Sequence, residues 1–160
     1  VDIKDMNIHS LRDLMGLVTQ DSILFNDTIK NNILLGKQTA TDEEIIDALK
    51  IANAYEFVKD LPLGIETNIG DAGGKLSGGQ KQRFSIATTL INQPKILFAD
   101  EPTGNLDKEN AEHVLGLILS LRKELNMTII IVTHDQVIAS KTDASLTMQD
   151  GKIIQKLKNN

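Results

Sequence analysis

The sequence predicts an α/β domain built on a parallel sheet, and three observations carry that prediction. Two continuous apolar runs, Ile96-Leu97-Phe98-Ala99 and residues 128–133, have the length of strands rather than helices. Between them, Val114, Leu117, Ile118 and Leu121 share one face of a helix that opens behind Asp107, a residue type favoured at the N-cap. Strand, amphipathic helix, strand is a βαβ unit, which predicts parallel strands and a sheet covered on both faces.

The remaining elements follow in chain order. Residues 11–15 are expected as a short helix, 16–19 as a strand and 27–35 as a second helix. Thr41 and Glu44 form a T-x-x-E capping box ahead of Ile45, Ile46, Leu49 and Ala52 at helical spacing, so a helix starts there. Residues 54–61 add a further turn or two before Pro62, and a glycine-rich loop covers 64–79. Residues 78–91 read as a helix, and the helix behind Asp107 runs to about Leu125. Asp150-Gly151, between apolar stretches 146–149 and 152–154, is a two-residue hairpin signal. No repeat, low-complexity tract or linker divides the chain, which predicts one domain with two lobes.

Composition removes several classes of function. The 160 residues carry 17 Lys plus Arg against 22 Asp plus Glu, a net charge of -5, and this balance argues against nucleic acid as the main partner. With 41% hydrophobic residues a packed core is expected, and with no cysteine there are no disulfides, thiol nucleophiles or Cys-ligated metals. The longest apolar stretch, about residues 114–121, is far short of the roughly 20 needed to cross a bilayer. The opening Val1-Asp2-Ile3-Lys4 has no initiator Met and no signal-peptide character, and reads as the start of a fragment. His9 and His113 have no supporting context and are expected on the surface.

Ligands of open α/β sheets bind at the carboxyl ends of the strands, which singles out Asp100, Glu101 and His134. An apolar strand ending in adjacent carboxylates has the pattern of a Walker B strand, in which Asp100 holds Mg²⁺, directly or through water, and Glu101 polarises an attacking water. A solvated acidic turn would read the same way. In Leu76-Ser77-Gly78-Gly79-Gln80-Lys81-Gln82-Arg83, two glycines allow close backbone approach, and a hydroxyl, exposed N–H groups and a helix N-terminus all favour an anion. The competing reading is an N-capping Ser77 beside a tight turn.

At these residues the sequence resembles the ATP-binding-cassette ATPases. Leu76-Ser77-Gly78-Gly79-Gln80 matches their signature, Ile96 to Glu101 their Walker B strand, Gly104-Asn105-Leu106-Asp107 their D-loop, Val132-Thr133-His134-Asp135 their switch histidine, and Leu17-Val18-Thr19-Gln20 their Q-loop. The resemblance implies a P-loop NTPase-like parallel sheet with a helical signature subdomain, truncated at the N-terminus. About 20–90 would hold the Q-loop, helical lobe and signature helix, and about 91–155 the catalytic sheet. It implies that Gln20 contacts Mg²⁺ or the lytic water and links the site to the transport partner, that Glu101 is the base, and that His134 contacts the γ-phosphate of ATP. Ser77, Gly78, Gly79 and Gln80 would bind ATP held by a second nucleotide-binding domain, with Asp107 at that head-to-tail interface. Without the motif order, Gln20 would read as a solvated loop residue and His134 as a strand-end cap. Transmembrane transporter domains are the implied partners, placing the chain at the cytoplasmic face of a membrane.

A phosphate-cradling G-x-x-x-x-G-K-[ST] is absent: the Gly-Lys pairs at 36–37, 74–75 and 151–152 lack both the upstream glycine and the following hydroxyl. The chain reads as a cassette without its Walker A part, to be supplied from upstream. Its front half, through Leu24-Phe25-Asn26-Asp27-Thr28-Ile29 and Thr67 to Asp71, is similar to exporter half-transporters. Its rear, through Ala99 to Asp107 and Leu146 to Lys152, is similar to the separate ATPases of lipoprotein-releasing systems. The alternatives are a cassette ATPase of translation or DNA maintenance, and a non-catalytic fragment.

Overall fold

The structure is a computed structural model that describes residues 2–159. Helix α1, Ile8–Asp13, starts earlier than the sequence suggests because the Asn7 side chain accepts from the N–H groups of His9 and Ser10. Strand β1 is Met15–Val18. Helix α2, Ile29–Leu34, starts later than expected because Thr28 is its cap, its hydroxyl accepting from the Asn31 N–H at 3.0 Å. Helix α3, Asp42–Ile51, has both bonds of the expected capping box: Glu44 N–H donates to the Thr41 hydroxyl, and Thr41 N–H donates to the Glu44 carboxylate. Helix α4, Tyr55–Lys59, and two 3-10 turns at Gly64–Glu66 and Asp71–Gly73 lead to helix α5, Gly78–Leu90. Then come strand β2, Ile96–Asp100, helix α6, Lys108–Glu124, strand β3, Thr128–Val132, and helix α7, Gln136–Ser140. Strands β4, Ala144–Gln149, and β5, Lys152–Lys158, form a hairpin whose two loop residues, Asp150 and Gly151, both have positive φ, as the tight turn demands.

Strands β1, β2 and β3 form one parallel sheet in that order, with Val18 beside Ala99 and Asp100 beside Val132. The whole helical region from α2 to α5 lies in the connection between β1 and β2, and α6 alone connects β2 to β3. Helix α5 is the pivot, packing on β1, α2, α3 and α6 through Phe84, Ile86, Ala87 and Leu90. Leu97 and Ala99 of β2 and Ile118 and Leu121 of α6 complete the core beneath the sheet.

The expectation that both sheet faces are covered is corrected. Gly16, Val18, Leu97 and Ala99 point into the core, whereas Leu17 and Val132 on the opposite face are 60% and 57% exposed. Strand β3 is half-covered rather than buried, with Ile129 and Ile131 facing inward and Ile130 outward. The physical reason is that the core gathers on the face of Val18, Leu97 and Ala99, together with Ile86 of α5 and Ile118 and Leu121 of α6, so the continuous apolar runs overstate the burial of their strands.

Candidate functional site

Because the three strands are parallel, their carboxyl ends share one edge, and the chain leaves that edge at Thr19-Gln20, Asp100-Glu101 and Thr133-His134. Glu101 continues the ladder, its N–H donating to the Val132 carbonyl at 2.9 Å, and then turns with φ +44°. A non-glycine residue in that region is costly and persists where its surroundings hold it. Here they do. The His134 backbone N–H donates to Glu101 Oε1 at 2.9 Å, and His134 Nδ1 lies 2.6 Å from the same oxygen. Among the described residues Oε2 receives only the long bond from the Thr133 hydroxyl at 3.4 Å. The bond from His134 holds the Glu101 carboxyl below the usual carboxylate range, against a smaller opposing effect of burial. The same bond holds the His134 imidazole above its ordinary value.

Gln20 stands on the far side of this edge. Its Nε2 donates to Asn105 Oδ1 at 2.9 Å, and Asn105 Nδ2 donates in turn to the Asp21 carboxylate at 2.7 Å. Gly104 makes the approach possible, since a Cβ there would stand 2.8 Å from Gln20 Nε2. Among the described residues the amide oxygen of Gln20 has no hydrogen-bond partner.

Ser77 caps α5 in a second capping box: its hydroxyl accepts from Gln80 N–H at 3.3 Å, and Gln80 Oε1 accepts from Ser77 N–H at 2.9 Å. The side chain of Gln80 is thus engaged within its own turn. Gly78 is exposed and lies against Leu106, while Gly79 is buried against Asn110 on the first turn of α6. Asp107 caps α6, accepting from Asn110 N–H at 3.0 Å and from Asn110 Nδ2 at 2.6 Å, which keeps its carboxyl below the usual range. The structure therefore brings Gln20, Asp100, Glu101 and His134 to one edge and seats the signature turn on the start of α6. His9 and His113 are both exposed.

The donor set suits a hard cation shared with a substrate. Among the described residues no group of three or more His, Cys, Asp or Glu could hold a metal unaided. Mg²⁺ ordinarily takes only one or two protein carboxylates beside phosphate oxygens and water. The exposed Asp100 carboxylate and the open amide oxygen of Gln20 fit that requirement.

Sequence reasoning gave no role to Gln82 or Asn105. Gln82 is 2% exposed, donates from Nε2 to the Thr19 carbonyl at 3.0 Å, and accepts from the Ser22 hydroxyl at 2.8 Å. The available signal was a glutamine on the stripe with Gly79 and Ile86 that α5 turns inward.

The sequence matches the family model described as ABC transporter over residues 1–104. Two relatives named as multidrug export ATP-binding/permease proteins, from Staphylococcus aureus strains NCTC 8325 / PS 47 and COL, are each 46% identical over 154 residues, 96% of this chain and 26% of their own length. A structure of a bacterial Atm1-family ABC exporter with ATP bound superposes with a TM-score of 0.81 at 38% identity, over 94% of this chain and 26% of that one. The chain thus spans about a quarter of the proteins it resembles. No described helix is long and apolar enough to cross a membrane. With more than half of its residues matched by the family model, the chain belongs to the ABC transporter family.

Proposed function

We propose that this chain forms the hydrolytic edge and signature turn of a cassette that hydrolyses ATP to drive transport across a membrane. The observation that carries the reading is the convergence of Gln20, Asp100, Glu101 and His134 at one end of a parallel sheet, with Glu101 and His134 directly bonded. Glu101 is the general base, accepting the proton of the attacking water at Oε2 while Oε1 stays with His134. His134, whose imidazole is almost fully exposed and held toward its charged form, presents its remaining ring nitrogen to the transferred phosphate. Mg²⁺ would be held by Asp100 and Gln20 and would neutralise charge on the phosphate oxygens.

The signature turn serves a different nucleotide. Its contacts are to Leu106 and Asn110 rather than to Glu101 or His134, and at the start of a 13-residue helix the exposed Gly78 stands outside the capping box that engages the Ser77 and Gln80 N–H groups. This supports a head-to-tail pairing in which Ser77, Gly78, Gly79 and Gln80 meet ATP held by a second nucleotide-binding domain, with Asp107 at the seam. In that reading, about 20–90 forms the helical and signature portion and about 91–155 the catalytic sheet. The P-loop that cradles the other phosphates lies outside this sequence, and the assembly works at the inner face of a membrane against transmembrane domains.

The test is Glu101→Gln in the full-length protein. Steady-state hydrolysis should fall by at least about 10²–10⁴-fold while ATP binding persists, because a proton acceptor is lost and the shape is kept. Near-normal turnover would remove Glu101 from the role of base.

A further inference from the structure

We infer that Gln82 is a positioning residue for Gln20, acting through the loop 19–22 that carries it, an inference that rests on the hydrolytic reading above. Gln82 and Asn32 are the buried polar residues of the described chain, and no catalytic role touches Gln82. The two ends of its amide do different work. Nε2 donates to the Thr19 carbonyl, immediately before Gln20, and Oε1 accepts from the Ser22 hydroxyl, two residues beyond it. One side chain of the signature helix therefore straddles Gln20 without contacting it.

The opposite side of the loop is held as well, since Asn105 bonds both Gln20 and Asp21. The loop also closes on itself, the Thr19 hydroxyl donating to the Asp21 carbonyl at 2.8 Å. Gln20 is thus fixed between α5, through Gln82, and the turn before α6, through Asn105. A buried amide whose both ends are satisfied specifies one loop conformation, because any shift of Thr19 or Ser22 strands a polar group out of water. Gln82 also lies on the same helix as the signature turn, so the loop of Gln20 is tied directly to the helix that carries that turn.

The experiment uses the full-length protein with Gln82→Met, which keeps length and removes both bonds, and with Ser22→Ala, a milder change at a half-exposed site. Three readouts are taken: ATP hydrolysis with kcat and KM separated, the Mg²⁺ concentration giving half-maximal rate, and the mobility of a nitroxide on Ile23→Cys without nucleotide. Ile23 is 76% exposed and this sequence has no cysteine, so the label reads the loop, in a background where it is the sole reactive thiol. We expect kcat to fall about tenfold to a hundredfold, as misplacing a group by about 1 Å does. KM for ATP should stay within about twofold, as for an interaction felt mainly in the transition state. The Mg²⁺ requirement should rise and the nitroxide spectrum gain a mobile component in both variants, and Ser22→Thr, which keeps the hydroxyl, should restore all three. Unchanged kcat and Mg²⁺ dependence in either variant, or loss of activity accompanied only by lowered thermal stability, would overturn the positioning role while leaving the hydrolytic reading intact. Absence of hydrolysis by the unsubstituted protein would instead overturn the reading on which it rests.

Discussion

Glu101 and His134 are bonded so closely that neither titrates alone, and the pair has a definite pH signature. His134 is held above its ordinary value, so its contribution is complete below about pH 6.5 and is lost as pH rises through the raised value. Glu101 is held below its ordinary value, so its contribution is present above about pH 4.3 and is lost as pH falls through the lowered value. Between those limits the pair is charged and intact. An NMR titration should place the His134 imidazole above about 6.5, and Glu101→Gln should bring it back toward that value. No movement on substitution would mean that the pair does not form in solution. Two glycines make a second contrast at this scale. A Cβ on Gly79 would run into Asn110, which is itself bonded to Asp107, whereas a Cβ on Gly78 meets only the end of Leu106 at 3.3 Å. Gly79→Ala should therefore destabilise by roughly 1–3 kcal/mol, and Gly78→Ala by less, in a denaturant titration. Equal effects would mean that Asn110 yields freely.

The helices differ in how their ends are secured, and that difference decides what could be read from the sequence. Helix α3 joins an intact capping box to a buried stripe of Ile45, Ala48 and Leu49, all visible within a dozen consecutive residues. Thr41→Ala should cost about 1 kcal/mol in a urea titration, a loss that Thr41→Ser should largely avoid. An unchanged midpoint would mean that packing alone holds the helix. The same local legibility applies to α6 behind Asp107, to the Asp150-Gly151 hairpin and to β2. It failed where the deciding partner was distant. Gln82 drew no role of its own because its partners, Thr19 and Ser22, lie some sixty residues earlier. The grouping of the proposed catalytic residues at one edge was legible for the opposite reason: each of them directly follows a strand or its expected end, and parallel strands end together.

For the molecule as a whole, the uneven cover of the sheet matters most. Continuous apolar runs suggested two covered faces, yet Leu17, Ile130 and Val132 stand in solvent on one of them. Contiguous exposed apolar surface of this kind favours association. Residues 1–160 prepared alone should therefore bind a hydrophobic dye and self-associate, which sedimentation at increasing concentration would reveal; a monodisperse, dye-free preparation would contradict this. The order of strands has a temporal consequence too. Among the described residues strand β1 pairs only with β2, and the chain between them contains all of α2 to α5. During synthesis β1 leaves the ribosome long before its neighbour exists, while α3 can form at once from its own caps. Closing so long a loop is entropically late, since non-local pairing must follow the local contacts that shorten it. Pulse-labelled hydrogen exchange during refolding should protect α3 before Met15–Val18, and simultaneous protection would rule this sequence of events out. The loop carrying Gln20 is therefore among the last parts to take shape, so a nascent or half-folded chain cannot assemble the proposed hydrolytic edge before its helical portion is in place.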